Sequence, residues 1–203
     1  TSNPLDPFVL YIASLEGGFP DFPKLAVNDD KLVLTGNIFT IFSQVYVGTA
    51  FLVANKADLV AGSSTPGSTY FPSPQGLFTI QPAQGLSSGS TLFMAARGTA
   101  ARRTVVRVWS LNGVPGTATP VTSTTTDLTI KSLPTPPDAQ QSGTTTPIET
   151  NDNRLLDAVY RSGSLWLAAT SGCKPPGDKK TRSCLRFIQI GTTSLAVVQD
   201  FNF

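Results

Sequence analysis

Ser164-Leu165-Trp166-Leu167-Ala168-Ala169 leads through Cys173 into Lys174-Pro175-Pro176-Gly177-Asp178-Lys179-Lys180-Thr181-Arg182-Ser183, then Cys184 and Leu185-Arg186-Phe187-Ile188-Gln189-Ile190. Both apolar runs are short, and they flank a polar loop built on Pro and Gly, which is the pattern of two strands joined as a hairpin. The cysteines then sit at its mouth, where a disulfide would close a loop of about a dozen residues, worth roughly 3 kcal/mol in the chain-entropy model. Two other readings stay open here. A zinc site would be only half built by two thiolates without a further Cys or His, and the two thiols could be unrelated and buried. A disulfide is the expectation, with the two Cα atoms about 4.4–6.8 Å apart, and with it an exported protein.

The same pattern extends outward. Lys31-Leu32-Val33-Leu34-Thr35-Gly36 and Thr91-Leu92-Phe93-Met94-Ala95-Ala96 match Ser164–Ala169 as aliphatic strands that run into small residues, although Leu32, Leu92 and Leu165 are 60 and 73 positions apart. Each follows a shorter run: Lys24–Val27, Gly76–Ile80 and Leu155–Tyr160. Each precedes a third: Ala50–Val53, Val105–Trp109 and Leu185–Ile188. Fourth strands are expected near Asp127–Ile130 and Ser194–Val198, and Phe8–Ile12 is expected to close a preceding unit. Only Ala54–Gly62 suggests a helical turn or two, ended by its glycine. The fold class is therefore all-β. Four-stranded antiparallel units in tandem are blades of a β-propeller, and the alternative is a β-sandwich with long loops. Small residues in the repeated strand suit a position near a crowded propeller axis.

The units fall at about 20–75, 76–131 and 153–203, in a single all-β domain, with 114–150 as a Thr/Pro-rich connection across the surface. Three blades do not close a ring. Strand-like sequence at Val197–Phe201 is expected to continue into a longer parent chain, or to meet neighbouring copies that cover open blade edges.

Composition narrows the function classes. Charged residues are 14% of the 203, well under the roughly 25% of ordinary globular domains, while Ser and Thr number 45. A net charge of +2 gives no bulk argument for nucleic acid. With no histidine, His-based triads and His-ligated zinc are excluded within the chain. No apolar run approaches the roughly 20 residues of a membrane span, and Thr1-Ser2 does not open a signal peptide. No Asn-x-Ser/Thr sequon occurs.

Asp21-Phe22-Pro23-Lys24-Leu25-Ala26-Val27, followed by Leu32–Phe39, Phe51–Val53 and Lys56-Ala57-Asp58-Leu59-Val60-Ala61-Gly62, resembles secreted bacterial β-propeller proteins, loosely sialidase-like. Asn153–Arg161 with Ser164-Leu165-Trp166 resembles a later blade of that group. The resemblance implies a propeller fold and export more than it implies chemistry. The Ser-x-Asp-x-Gly-x-Thr-Trp box of many sialidase blades does not occur.

A retaining sialidase would need an arginine cluster, a tyrosine nucleophile with a carboxylate partner, and an acid. Arg97, Arg154, Arg161, Tyr160, Asp157 and Glu149 supply those residue types. Asp157 and Tyr160, three apart on a strand, point to opposite faces. Asp29-Asp30 and Asn151-Asp152-Asn153 are read as turn chemistry rather than a cation site, so neither metal nor cofactor is expected. Basic residues gather in two hairpins, Arg97, Arg102, Arg103 and Arg107 in one, and Lys174, Lys179, Lys180, Arg182 and Arg186 in the other. If these hairpins are equivalent, both face one rim. The expected ligand face carries Arg97, Arg103, Tyr160, Arg161 and Lys180. The reading that follows is an exported, non-catalytic binding module at a bacterial cell surface, for an acidic glycan or protein, with no nucleic acid and no membrane insertion. The alternatives are a glycan-active propeller hydrolase or lyase, and a structural subunit of a surface assembly.

Overall fold

The structure, a computed structural model, describes residues 5, 8–15, 18–72, 76–98 and 103–203. Thr1-Ser2 and Arg102 lie outside the described residues. The elements run β1 (Phe19–Val27), β2 (Lys31–Phe39), β3 (Tyr46–Asn55), α1 (Lys56–Val60), β4 (Ser68–Pro72), β5 (Gln81–Pro82), β6 (Gln84–Gly85), β7 (Leu92–Arg97), β8 (Val105–Asn112), β9 (Thr122–Thr129), β10 (Leu155–Arg161), β11 (Ser164–Cys173), β12 (Arg182–Gly191) and β13 (Ala196–Asn202). The chain is all-β, as its runs of β-branched and aromatic residues require. Three sheets follow one another: β1-β2-β3-β4, β5-β7-β8-β9, and β13-β12-β11-β10-β6.

Each sheet buries a face against the next. Ala26, Val33, Phe51 and Val53 of the first share a core with Leu92, Met94, Ala96, Trp109 and Leu111 of the second. The other face of the second sheet, Phe93, Ala95, Val106 and Val108, packs with Leu155, Leu165, Leu167, Ile188 and Ile190 of the third. Period-2 alternation thus serves two cores at once, and explains why β7 is apolar at nearly every position. The leading leucines of β2, β7 and β11 each face what precedes their sheet. Leu92 faces the first sheet and Leu165 the second, while Leu32 faces residues 10–13 across a cavity of about 790 Å³.

The first strands converge: β1 lies against β5 and β6, and β10 against β5, β6 and β7. Buried side chains tie the first sheet to the start of the second. Thr35 Oγ1 donates to Ile80 O at 2.8 Å, and Asn37 bonds both the backbone N and the hydroxyl of Thr79, at 2.8 and 3.1 Å. At the opposite end Asp29 accepts from Ser88 Oγ and Gly89 N, and Lys31, fully buried, pairs with Asp30 and donates to Ser90 O.

Several expectations change. Gly76–Ile80 is not a strand: Gly76 and Thr79 have φ of 95° and 59°, and pairing starts at Gln81. The next residues cross over, so that Gln84–Gly85 pair in parallel with Val159–Tyr160 and give the third sheet a fifth strand. Phe8–Ile12 forms no strand and lies over the outer face of the first sheet, where Leu15 fills the space above Gly36. The small residues Ala95 and Ala96 belong to a second strand rather than a converging one, and are crowded by a core on each face. The 114–150 stretch is not a single connection: Thr122–Thr129 form β9, with Thr124-Thr125-Thr126 opposite Ser110, Trp109 and Val108. The helical turn forms as expected, with Asn55 capping Ala57 N at 3.0 Å and Gly62 following at φ 72°.

The cysteine expectation holds. Cys173 and Cys184 form a disulfide with Cα atoms 5.8 Å apart. Asp178 accepts from Lys180 N and Arg182 Nε, at 2.9 and 2.6 Å, and adds local order to the loop. The 131–150 arm rests on this hairpin: Gly172 N donates to Pro134 O at 3.0 Å, and a Cβ there would stand 2.9 Å from Thr135 O. Arg186, counted with the basic residues of this hairpin, does not face the rim but is buried in an ion pair with Asp200 at 2.6 Å. Cys173→Ser is expected to leave the sheets folded while limited trypsin digestion cuts first at Lys179-Lys180. Cutting as slow as in the parent protein would show that the Asp178 bonds and the arm, not the disulfide, hold the loop.

Candidate functional site

Three left-handed backbones stand near the starts of the converging strands: Phe22 (φ 51°), Thr79 (φ 59°) and Asn151 (φ 60°). Such conformations cost a non-glycine residue about 1–3 kcal/mol each and collect at functional sites. At Phe22 the β1–β2 register shifts between Asp21 and Lys24, so Phe22 and Pro23 bulge from the ladder. Phe78, next to Thr79, belongs to the corresponding lead-in of the second sheet.

Arg154, one residue ahead of β10, lies between these two aromatic rings. Its Cζ is 5.0 Å from the Phe22 centroid and 4.7 Å from that of Phe78. Lys24 Nζ stands 4.6 Å over the Phe22 ring and reaches Leu156 O at 3.4 Å. Asp152 accepts from Arg154 Nε and Nη2 at 2.8 and 2.7 Å, a bidentate pair that fixes the guanidinium near both rings. Tyr46 extends the aromatic cluster, edge-on to Phe78 at 5.2 Å and tilted to Phe39 at 5.5 Å. An open cleft of about 380 Å³ continues beside it, lined by Phe19, Asp21, Phe39, Thr40, Ile41 and Gln44.

Arg97 ends β7 on the face that looks toward the third sheet. Burial, the largest influence, pushes its pKa below the ordinary guanidinium value; Asp152 opposes this, and the charges of Arg103 and Arg154 add to it. Burial would raise the Asp152 pKa, but hydrogen bonds from the Arg154 side chain and backbone, with the charges of Arg154 and Arg97, outweigh it and hold the carboxyl below its usual value. Burial pushes the Tyr46 phenol up to about 12. Its O–H donates to Leu77 O. At neutral pH the site thus holds an ionised Asp152 acceptor and a protonated phenol, with guanidinium charge in excess around them.

The structure divides the residues singled out in the sequence. Arg97, Arg103 and Arg154 come together. Arg161 is exposed at the far end of β10, seven residues from Arg154 and so about 20 Å along the strand. Tyr160 packs on Phe93, with ring centroids 5.5 Å apart, and closes a core instead of facing Arg97. Lys180 lies in the disulfide loop beside a smaller cavity of about 260 Å³ shared with residues 137–140. Arg107 pairs with Asp127 across β8 and β9. Asp29 and Asp30 take part in turns, and among the described residues no group of three or more His, Cys, Asp or Glu is placed to hold a metal ion. Sequence reasoning missed Phe22, Phe78 and Asp152 as a sandwich around Arg154. The available signal was the Asp-Phe-Pro-Lys stretch, whose proline forces a break in regular pairing.

Fold and site together define a protein of three successive sheets, antiparallel but for the short β6–β10 pairing, with a cationic, aromatic cluster where their first strands begin. No protein-family model and no curated protein matches the chain. Among the described residues no helix is long and apolar enough to cross a membrane.

Proposed function

We propose that the three sheets are consecutive blades of a β-propeller, and that the protein is an exported, non-catalytic module binding an acidic glycan at the bacterial cell surface. The observation that carries this reading is Arg154 held between Phe22 and Phe78 by Asp152, with the half-buried Arg97 beside it. Guanidinium groups deprived of water and set near one another favour an incoming carboxylate, which each can meet bidentately. Flat rings next to them suit the apolar face of a sugar. Contact of β1 and β10 with β5 and β6 between them supports the propeller arrangement, and the disulfide supports export. The protonation states of Asp152 and Tyr46 favour binding over hydrolysis, since one is a poor proton donor and the other a poor nucleophile.

Titration calorimetry with polygalacturonate, against neutral dextran, tests the reading. Binding of the acidic polymer alone is expected, weakening with salt. Arg97→Gln or Arg154→Gln should reduce affinity at least tenfold, or about 1.4 kcal/mol, whereas Arg161→Gln should leave it unchanged. Equal affinity for both polymers, or an effect of Arg161→Gln as large as that of Arg154→Gln, would move the site elsewhere.

A further inference from the structure

The hairpin between β2 and β3 ends in Thr40-Ile41-Phe42-Ser43-Gln44-Val45, and its apolar side chains point into water: Phe42 is 99% exposed, Ile41 67% and Val45 57%. The tip is built rather than loose. Thr40 N donates to Val45 O at 2.9 Å, Gln44 N to Thr40 O at 3.1 Å, and Val45 N to Thr40 Oγ1 at 3.0 Å, while the Thr40 and Ser43 hydroxyls bond each other at 2.5 Å. These bonds hold the tip in shape, and the headgroup region, unlike the hydrocarbon core, still offers water and phosphate to the remaining backbone groups. From Phe39 to Asn55 the chain carries no charged residue.

The same end of the molecule carries the cationic groups. Phe39 and Tyr46, the feet of the hairpin, connect through Phe78 to Arg154. The β7–β8 and β11–β12 loops open at this end too, since Arg97 ends β7 near Asp152, and Leu155 at the start of β10 pairs with Ala169 toward the end of β11. The acids on this end include Asp152 and Asp178, which are already paired with Arg154 and Arg182, and Asp21, Asp138 and Glu149. Arg97, Arg103, Lys179 and Lys180 make no ion pair among the described residues.

We propose that this end docks on an anionic lipid surface, with Ile41 and Phe42 entering the headgroup boundary and the arginines and lysines of the other loops at this end facing lipid phosphates. An aromatic and aliphatic wedge on the same end as basic side chains is the chemistry of interfacial binding, and neither part suffices alone. The docking rests on the exposed tip and does not require the glycan reading.

The test is co-sedimentation of the whole chain with vesicles of phosphatidylcholine alone, and with about 30% phosphatidylglycerol, at low and high salt. At least about tenfold preference for the anionic vesicles is expected, lost at high salt. Phe42→Asp should abolish that binding yet leave polygalacturonate affinity intact, and Phe42→Trp should give a blue-shifted emission on anionic vesicles only. Phe42 touches almost nothing, so both variants should fold. Vesicle binding unaffected by Phe42→Asp would overturn the docking, as would polygalacturonate binding without vesicle binding, which leaves the glycan reading standing. A solution dimer dissolved by Phe42→Asp, with no vesicle binding, would instead make the tip a contact between copies and equally overturn it.

Discussion

Arg186→Ala is expected to lower the unfolding free energy by about 3–5 kcal/mol, because removing one partner leaves the other charge buried and uncompensated. The Arg186 and Asp200 side chains are 3% and 7% exposed, with Nε and Oδ1 2.6 Å apart. The same guanidinium donates to Asn202 Oδ1 and Lys131 O, at 3.0 and 3.2 Å, and Asp200 Oδ2 accepts from Lys131 N at 2.6 Å. One pair thus fastens β13 and the start of the 131–150 arm together. Urea unfolding followed by circular dichroism measures the loss. Arg186→Met with Asp200→Leu should restore most of it, since the penalty lies in the stranded charge rather than in the missing contact. A loss under about 1 kcal/mol for Arg186→Ala would mean that water reaches Asp200.

Trp109→Ala should cost a similar amount, about 3–5 kcal/mol, for a different reason: a cavity between the first and second sheets. Trp109 is 4% exposed, faces Met94 across β7 and β8, and shares its core with Val33, Phe51 and Val53. The consequence is directional. Hydrogen exchange should quicken in β2 and β3 more than in β11 and β12, which pack against the other face of the second sheet. Since Phe22 belongs to the first sheet and Arg154 to the lead-in of the third, loosening this core should also weaken acidic-glycan binding without touching any ligand contact. Uniform acceleration across all three sheets would show that the protein opens as one unit.

Legibility tracked how local each feature is. The hairpin around Cys173 and Cys184 was plain, because strand length, loop chemistry and cysteine spacing all lie within one short stretch. β4 was missed, because Ser68-Thr69-Tyr70-Phe71-Pro72 carries little apolar pattern and gains its place by pairing with Ala50–Ala54. β5 and β6 were displaced for a related reason. Two residues each are too few to show a period, and the positive φ at Thr79 is held by Asn37, 42 positions away. The basic clusters were visible as composition, yet Arg107, Arg154, Arg182 and Arg186 each found a carboxylate. Arg161, conversely, looked equivalent to Arg97 by type and stands at the other end of the strands.

An all-β chain and a hairpin with cysteines at its mouth follow from local pattern, because alternation, turn residues and loop length act over a few neighbouring positions. Which charges are buried, which rings enclose Arg154 and which hairpin tip stays bare are settled by packing across the sheets. Those depend on how three sheets stack and where their first strands begin, and the contacts between residues 22, 78 and 154 arise from that stacking, not from any local preference of the chain.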